Sequence, residues 1–298
     1  MILTAAVAFA LSSRSSARSP HSLQSQRPQS HSPQSQSPSQ RPQSQNPQPG
    51  NRAVTTSLAA AWVATQVGHG VVVACDKTMC EALTAHGFPG RRLRLIRPGS
   101  SAPPHAQVLV VTPVVQREFG RSITTKWAPV ALASFGADGT SISARLEAPH
   151  GAAKYEAALK ADLRARKAHG AGLLNNPHVS AAATARKQLL TGQVDSRLIV
   201  VLTALGSRHP IRILDFGAAA PGTSAGIPLR IAHLAQGYAA AGMPTSAYVR
   251  FLSMQLNIEP GMYKPEFSGL GRDAAGTLTF QIKFPAPSPL GVLGTKGP

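Results

Sequence analysis

Acidic residues are scarce in this chain: 12 Asp and Glu stand against 30 Lys and Arg, a formal net charge of +18 over 298 residues. Aromatic residues make up only 5%, so there is no stacking ladder for bases, and neither an RRM motif nor a zinc finger is present. No specific nucleic-acid partner is expected. The basic residues are spread: five Arg and no acid precede Ala53, and only "RRLRLIR" at Arg91 to Arg97 and "LRARKAHG" around Arg164 to Lys167 form clusters. Leu93, Leu95 and Ile96 interrupt the first as on a strand with one solvated face, and helical spacing distributes the second over an exposed flank. The charge implies a general attraction to polyanions, which outside a bacterial cell means teichoic acids or anionic lipid head groups.

A long apolar run is also missing. "MILTAAVAFAL" at the start is about eleven residues, short of the roughly 20 needed for a spanning helix. It fits a secretory core with "AFA" at Ala8 to Ala10 as a cleavage site, though no Lys or Arg precedes it; it also fits the outer end of a transmembrane helix, or a chance apolar start. Both export readings put the body outside the cytoplasm, membrane-anchored or secreted. Residues 14 to 50 are almost wholly Ser, Gln, Pro and Arg, with Leu23 as the only large apolar side chain. A stretch with so little to bury cannot offset the entropy of ordering, so 1–13 reads as a signal-like or truncated membrane segment and 14–52 as a disordered tether.

Cysteine is rare, and its spacing excludes two chemistries. Cys75 and Cys80 in "VVVACDKTMCEAL" form C-x4-C, where a zinc knuckle or a thioredoxin-type redox pair has C-x2-C. One ends a predicted strand and the other lies in the first turn of the next helix. A disulfide and a pair of buried thiols both fit, and export would favour the disulfide.

From Ala53 the pattern becomes globular. Helical "AVTTSLAAAWVATQV", apolar "VVVAC", a helix capped by Asp76 and stopped by Gly87, then "LRLI", "QVLVVT", "PVVQREFG", "PVALASFG" and "TSISARLEA" alternate helices with strands. This predicts a small, mostly parallel α/β lobe over residues 53–149, covered on both faces. Residues 150–298 read as an α+β lobe. It opens with a long helix, with Tyr155, Leu159 and Leu163 at i, i+4, i+8 and Gly170 as terminator. Ser180 is expected to cap the next helix, which Gly192 stops, and Asp195 favours the start of the one after. "IRILDFG", "PLRIAHLA" and "TLTFQIKFP" read as strands, and "PTSAYVRFLSMQLNI" as a helix.

The stretch from Leu173 resembles a segment of bacterial zinc D-Ala-D-Ala carboxypeptidases and their phage relatives, through Leu174, Asn176, Ser180, Gly192, Val194, Asp195, Arg197, Leu202, Leu205, His209 and Ile211. It covers about 60 of the 298 residues and is mostly scaffold. That family's metal motif, Ser-x-His-x-x-Gly-x-Ala-x-Asp, aligns with "SAGIPLRIAH", so Ser224, Gly226 and Arg230 mark the ligand loop. Gly226 stands where the resemblance puts the first metal ligand, Leu229 replaces the glycine, Ile231 the alanine and His233 the aspartate; no histidine follows His233. The resemblance thus implies a degenerate peptidase-like lobe without its zinc. The whole body is also similar to a group of exported or membrane-tethered bacterial envelope proteins.

Other residues suit chemistry without forming a motif. His209, Asp215 and His233 are suitable metal ligands if three converge, and Glu259 or Glu266 could serve as a base beside such a metal. Asp76, Thr112 and Ser134 define a conceivable small-molecule crevice at strand ends, with capping and turn roles as the plainer reading. "GAAAPGTSAG" could cradle an anion through its backbone N–H groups, although a flexible loop is the default. The expectation is a non-catalytic, extracytoplasmic binding or scaffolding protein with no catalytic residue, metal or cofactor, whose partner is a cell-wall polymer or an envelope protein. The alternatives are a metallopeptidase with an atypical ligand set and a non-specific polyanion binder.

Overall fold

A computed structural model describes residues 49–137, 139–217, 220–235, 245–259, 261–273 and 276–294, excepting the side chains of Pro49 and Thr245. The apolar start and the tether up to residue 48 lie outside the described residues. The first helix, α1 (Pro49–Gln66), begins inside the expected tether, three residues before the expected boundary at 52. Pro49 and Gly50 open it where a missing N–H costs nothing.

The first sheet has strand order β2-β1-β3-β5-β4, from β1 (Val73–Cys75), β2 (Leu93–Leu95), β3 (Val108–Val111), β4 (Val130–Phe135) and β5 (Ile142–Leu146). As expected, β2, β1 and β3 run parallel. β5 is antiparallel to both its neighbours, because the link from β4 to β5 is too short for the crossover that parallel pairing needs. Alternation divides the apolar strands between two cores. Val73, Cys75, Val108 and Val110 pack under α1 and α2 (Lys77–Ala85). Ala74, Leu109 and Val111 pack under α3 (Pro113–Phe119) and a π turn at Ile123–Trp127. Asp76 caps α2 by accepting from Met79 N at 3.0 Å, and Thr112 caps α3.

The second lobe begins with α4 (Ala152–Leu174), then β6 (Val179–Ala181), α5 (Ala183–Leu190), α6 (Ser196–Gly206), β7 (Ile211–Gly217), β8 (Ile231–Leu234), α7 (Thr245–Asn257), β9 (Phe267–Arg272) and β10 (Leu278–Lys283). Its sheet order is β6-β7-β8-β10-β9, with only β6 and β7 parallel. Ala232, Leu234, Phe280 and Ile282 turn to the core with Leu198, Leu202, Tyr248 and Leu252. Asp195 caps α6 by accepting from Arg197 N at 2.8 Å, as its position suggested.

Three local expectations are corrected. Gly170 does not end α4; it lies inside the helix, where a Cβ would come 2.7 Å from the Leu189 carbonyl oxygen. It is a close-approach residue for α5. The buried stripe of α4 is Asp162, Arg166, Gly170 and Leu173, and Leu163 from the expected apolar stripe is exposed. Arg166 is therefore not on a solvated flank. Ser180 lies in β6, and α5 starts after Ala182 with no side-chain cap.

All the described residues belong to one compact unit. The lobes meet through backbone: Gly68 N donates to Ala286 O at 2.8 Å, and Ala286 N to Gln66 O at 2.6 Å. Among the described residues, no helix is long and apolar enough to cross a membrane.

Candidate functional site

The ligand loop is held by the opposite lobe. Ser134 N donates to Gly222 O and Ser224 N to Leu132 O, each at 2.8 Å, so residues 222–224 add a short antiparallel bridge to the free edge of β4. Trp62 Nε1 donates to Thr223 Oγ1 at 3.1 Å from beneath. Gly222 has φ +88° and lies against the Phe135 ring where a Cβ would collide, so only glycine makes this approach freely. This end of the stretch, expected as a flexible loop, is pinned; its residues 218 and 219 lie outside the described residues.

Pinning makes the loop the wall of a cleft. Ser224, Ala225 and Gly226 form one side, Leu159, Lys160 and Leu163 of α4 the other, and Thr191 to Gln193 the end, around about 590 Å³. Below it, Arg166 donates from Nε to Asp162 Oδ2 at 2.7 Å and from Nη1 to Gly192 O. Asp162 also accepts from Ser196 Oγ at 3.2 Å and from Gly291 N at 3.3 Å, so a buried charge pair is satisfied by α6, the turn that leads into it and the chain near the C-terminus. Lys160 is exposed on the rim. Arg230, placed with Ser224 and Gly226 by sequence, does not join them. It turns to a different and smaller cavity between the lobes, beside Gln66 and Lys283.

Two of the three metal candidates meet, and a bulge brings them together. Ile213 pairs with Leu234, but the next partners are Asp215 and His233, leaving Leu214 as the extra residue. The shift lets Ile213 and Phe216 both face the core while Asp215 turns to the other side. There His233 Nδ1 lies 2.5 Å from Asp215 Oδ1, with the imidazole buried and the carboxylate about one-third exposed. His209 is at the opposite end of β7, roughly 20 Å away at about 3.3 Å per residue, and its ring meets Phe251 edge-on at 4.0 Å. Among the described residues no three His, Cys, Asp or Glu side chains gather as a metal site. Glu266 pairs with Lys283 at 3.3 Å instead of facing His233 as a base, and Glu259 lies beyond the end of α7.

In the first lobe, Thr112 Oγ1 donates to Asp76 Oδ2. These two cap residues satisfy each other, and Ser134 lies two strands away from β3 on β4, so the suggested crevice does not assemble. Cys75 and Cys80 are joined by a disulfide across Cα atoms 5.4 Å apart.

A further cavity was not anticipated. About 700 Å³ opens between the starts of β3 and α4, the end of β5 and residues 287–290. Val72, Leu146, Tyr155 and Leu290 give it apolar walls, with His150 and Lys154 at its rim. Burial, aided by the nearby Asp162 charge, raises the Tyr155 pKa to about 12. No sequence signal separates this site from the turn "EAPHGAAKY", because the walls come from segments far apart in the chain.

Fold and site together define a two-lobed α/β protein with a loop-walled cleft and a closed carboxylate–imidazole pair. Compared with protein-family models, curated proteins and solved structures, the chain finds no match.

Proposed function

We propose that the protein is a non-catalytic binding module of the cell envelope that acts outside the cytoplasm and takes an anionic cell-wall polymer into the cleft between α4 and the pinned loop. The observation that carries this reading is the bridge of residues 222–224 to β4, which holds a binding wall in place without a metal. Support comes from the Cys75–Cys80 disulfide, which suits an oxidising compartment, and from the excess of 30 basic over 12 acidic residues. The loop that the peptidase resemblance marked walls the groove, while the Asp215–His233 pair spends its hydrogen bond internally.

Cosedimentation of the full chain with purified walls tests the proposal. Walls that retain anionic polymer should retain the protein, and walls stripped of it should not. Lys160→Glu should weaken retention about thirtyfold, since each Lys near an anionic surface contributes about 1 kcal/mol and reversal counts twice. Equal retention by stripped walls, or no change in the variant, would overturn it.

The 700 Å³ cavity favours a second reading, a carrier of a small apolar molecule, because its volume and walls match ordinary ligand sites. Binding of an environment-sensitive apolar dye, abolished when Ala158→Trp fills the cavity from its α4 wall, is the expected sign. Dye binding unchanged in that variant would count against it.

A further inference from the structure

The seam between the lobes buries a cation that has no counter-ion of its own. Arg230 is 6% exposed, and among the described residues its only side-chain hydrogen bond is from Nη2 to Gln66 Oε1 at a long 3.5 Å. Nε and Nη1 are buried without a partner. Arginine does not escape this by losing its proton. Burial lowers its pKa from the ordinary value, with Asp195 and Glu266 opposing and Arg197 adding to the shift.

The neighbouring carboxylates are already committed. Asp195 accepts from Arg197 Nε at 3.0 Å and Nη2 at 2.8 Å as well as capping α6. Glu266 pairs with Lys283. Arg230, Arg197 and Lys283 against Asp195 and Glu266 leave one positive charge unanswered, and buried unpaired charge is strongly unfavourable. Beside Arg230, among Gln66, Gly217, Pro228, Lys283 and Phe284, is a cavity offering about 10 Å³ to the centre of a water-sized particle. That is room for one such particle. Phosphate, sulfate and organic carboxylates are too large. Water would satisfy the donors and leave the charge.

We propose that this cavity is a halide site: one chloride-sized anion lies against the Arg230 guanidinium, accepting from Nε on the edge it shares with Nη2, and ties α1, through Gln66, to the segment leading into β8. Independent of the cleft, the site would make the joining of the lobes depend on halide.

Two measurements on the full chain test it. In the first, gluconate is replaced by chloride at constant ionic strength. Tm should rise and saturate, by about 3 to 5 °C when chloride exceeds its dissociation constant tenfold. Arg230→Met, close in length but uncharged, should show no such rise. A flat wild-type response, or the same rise in the variant, would overturn the proposal. In the second, crystals of the unmutated protein are soaked in bromide, which requires no folded variant. An anomalous peak against the Arg230 guanidinium is the expected result; a water there, or a peak only elsewhere, would refute the site.

Discussion

The two lobes bury different chemistry. Around the first sheet, the buried polar side chains among the described residues are Thr55, Thr112 and Thr140, all neutral. Around the second, Asp162, Arg166, Asp195, Arg197, Arg230 and His233 are buried. The first sheet is also covered by apolar packing on both faces, whereas the second turns Asp215, His233 and Gln281 away from its core. A neutral core asks mainly for matched volume and shape. A core stitched by charge demands specific partners, and here those partners surround the cleft and the seam. The first lobe thus supports the loop that walls the cleft of the second.

The widest difference between the lobes should appear on breaking a charge pair. Asp195→Ala strands the buried Arg197 guanidinium and uncaps α6, so unfolding in urea should show a loss of about 3 to 5 kcal/mol. A loss below about 1 kcal/mol would erase the distinction drawn here. Replacing both cysteines, Cys75→Ala with Cys80→Ala, opens a short loop in the first lobe and should cost about 2 kcal/mol by chain entropy, read from the same urea transition. Thr112→Ala removes a neutral cap in that lobe. About 1 kcal/mol is expected, clearly less than for Asp195, and equal losses would contradict the comparison.

Alkaline titration gives the finest test. Tyr155 and Tyr248 have pKa values raised to about 12 by burial, with Asp162 adding to the shift at Tyr155. The folded state holds these protons more tightly than the unfolded chain. Their stabilising contribution is therefore complete below pH 10, the ordinary value, and is lost as pH rises from 10 towards 12. Ultraviolet titration of the folded protein should show two of the four tyrosines ionising late.

Much of this architecture could be read in the sequence, because short-range rules govern it. "VVVAC" and "QVLVVT" announce strands buried on both faces, and Asp76 and Asp195 announce helix starts. The site was less legible, because its determinants are long-range. Apolar periodicity selected Leu159 and Leu163 for the buried face of α4, whereas Asp162 and Arg166 are inside because Gly192, Ser196 and Gly291, distant in sequence, supply the compensating donors and acceptors. The meeting of Asp215 with His233 depends on a one-residue bulge at Leu214, to which a period-two reading is blind. The pinning of Gly222 depends on an edge strand about ninety residues earlier. Arg230 looked like one member of a ligand loop, and only the packing of α1 turned it towards a separate cavity.

The central claim is that the second lobe binds without a catalytic metal. Elemental analysis of the full chain, purified without chelator or affinity metal, tests it most directly. The account predicts zinc far below one per chain, unchanged by His233→Ala. About one zinc per chain, lost in that variant, would contradict it and make the Asp215–His233 pair part of a working metal centre.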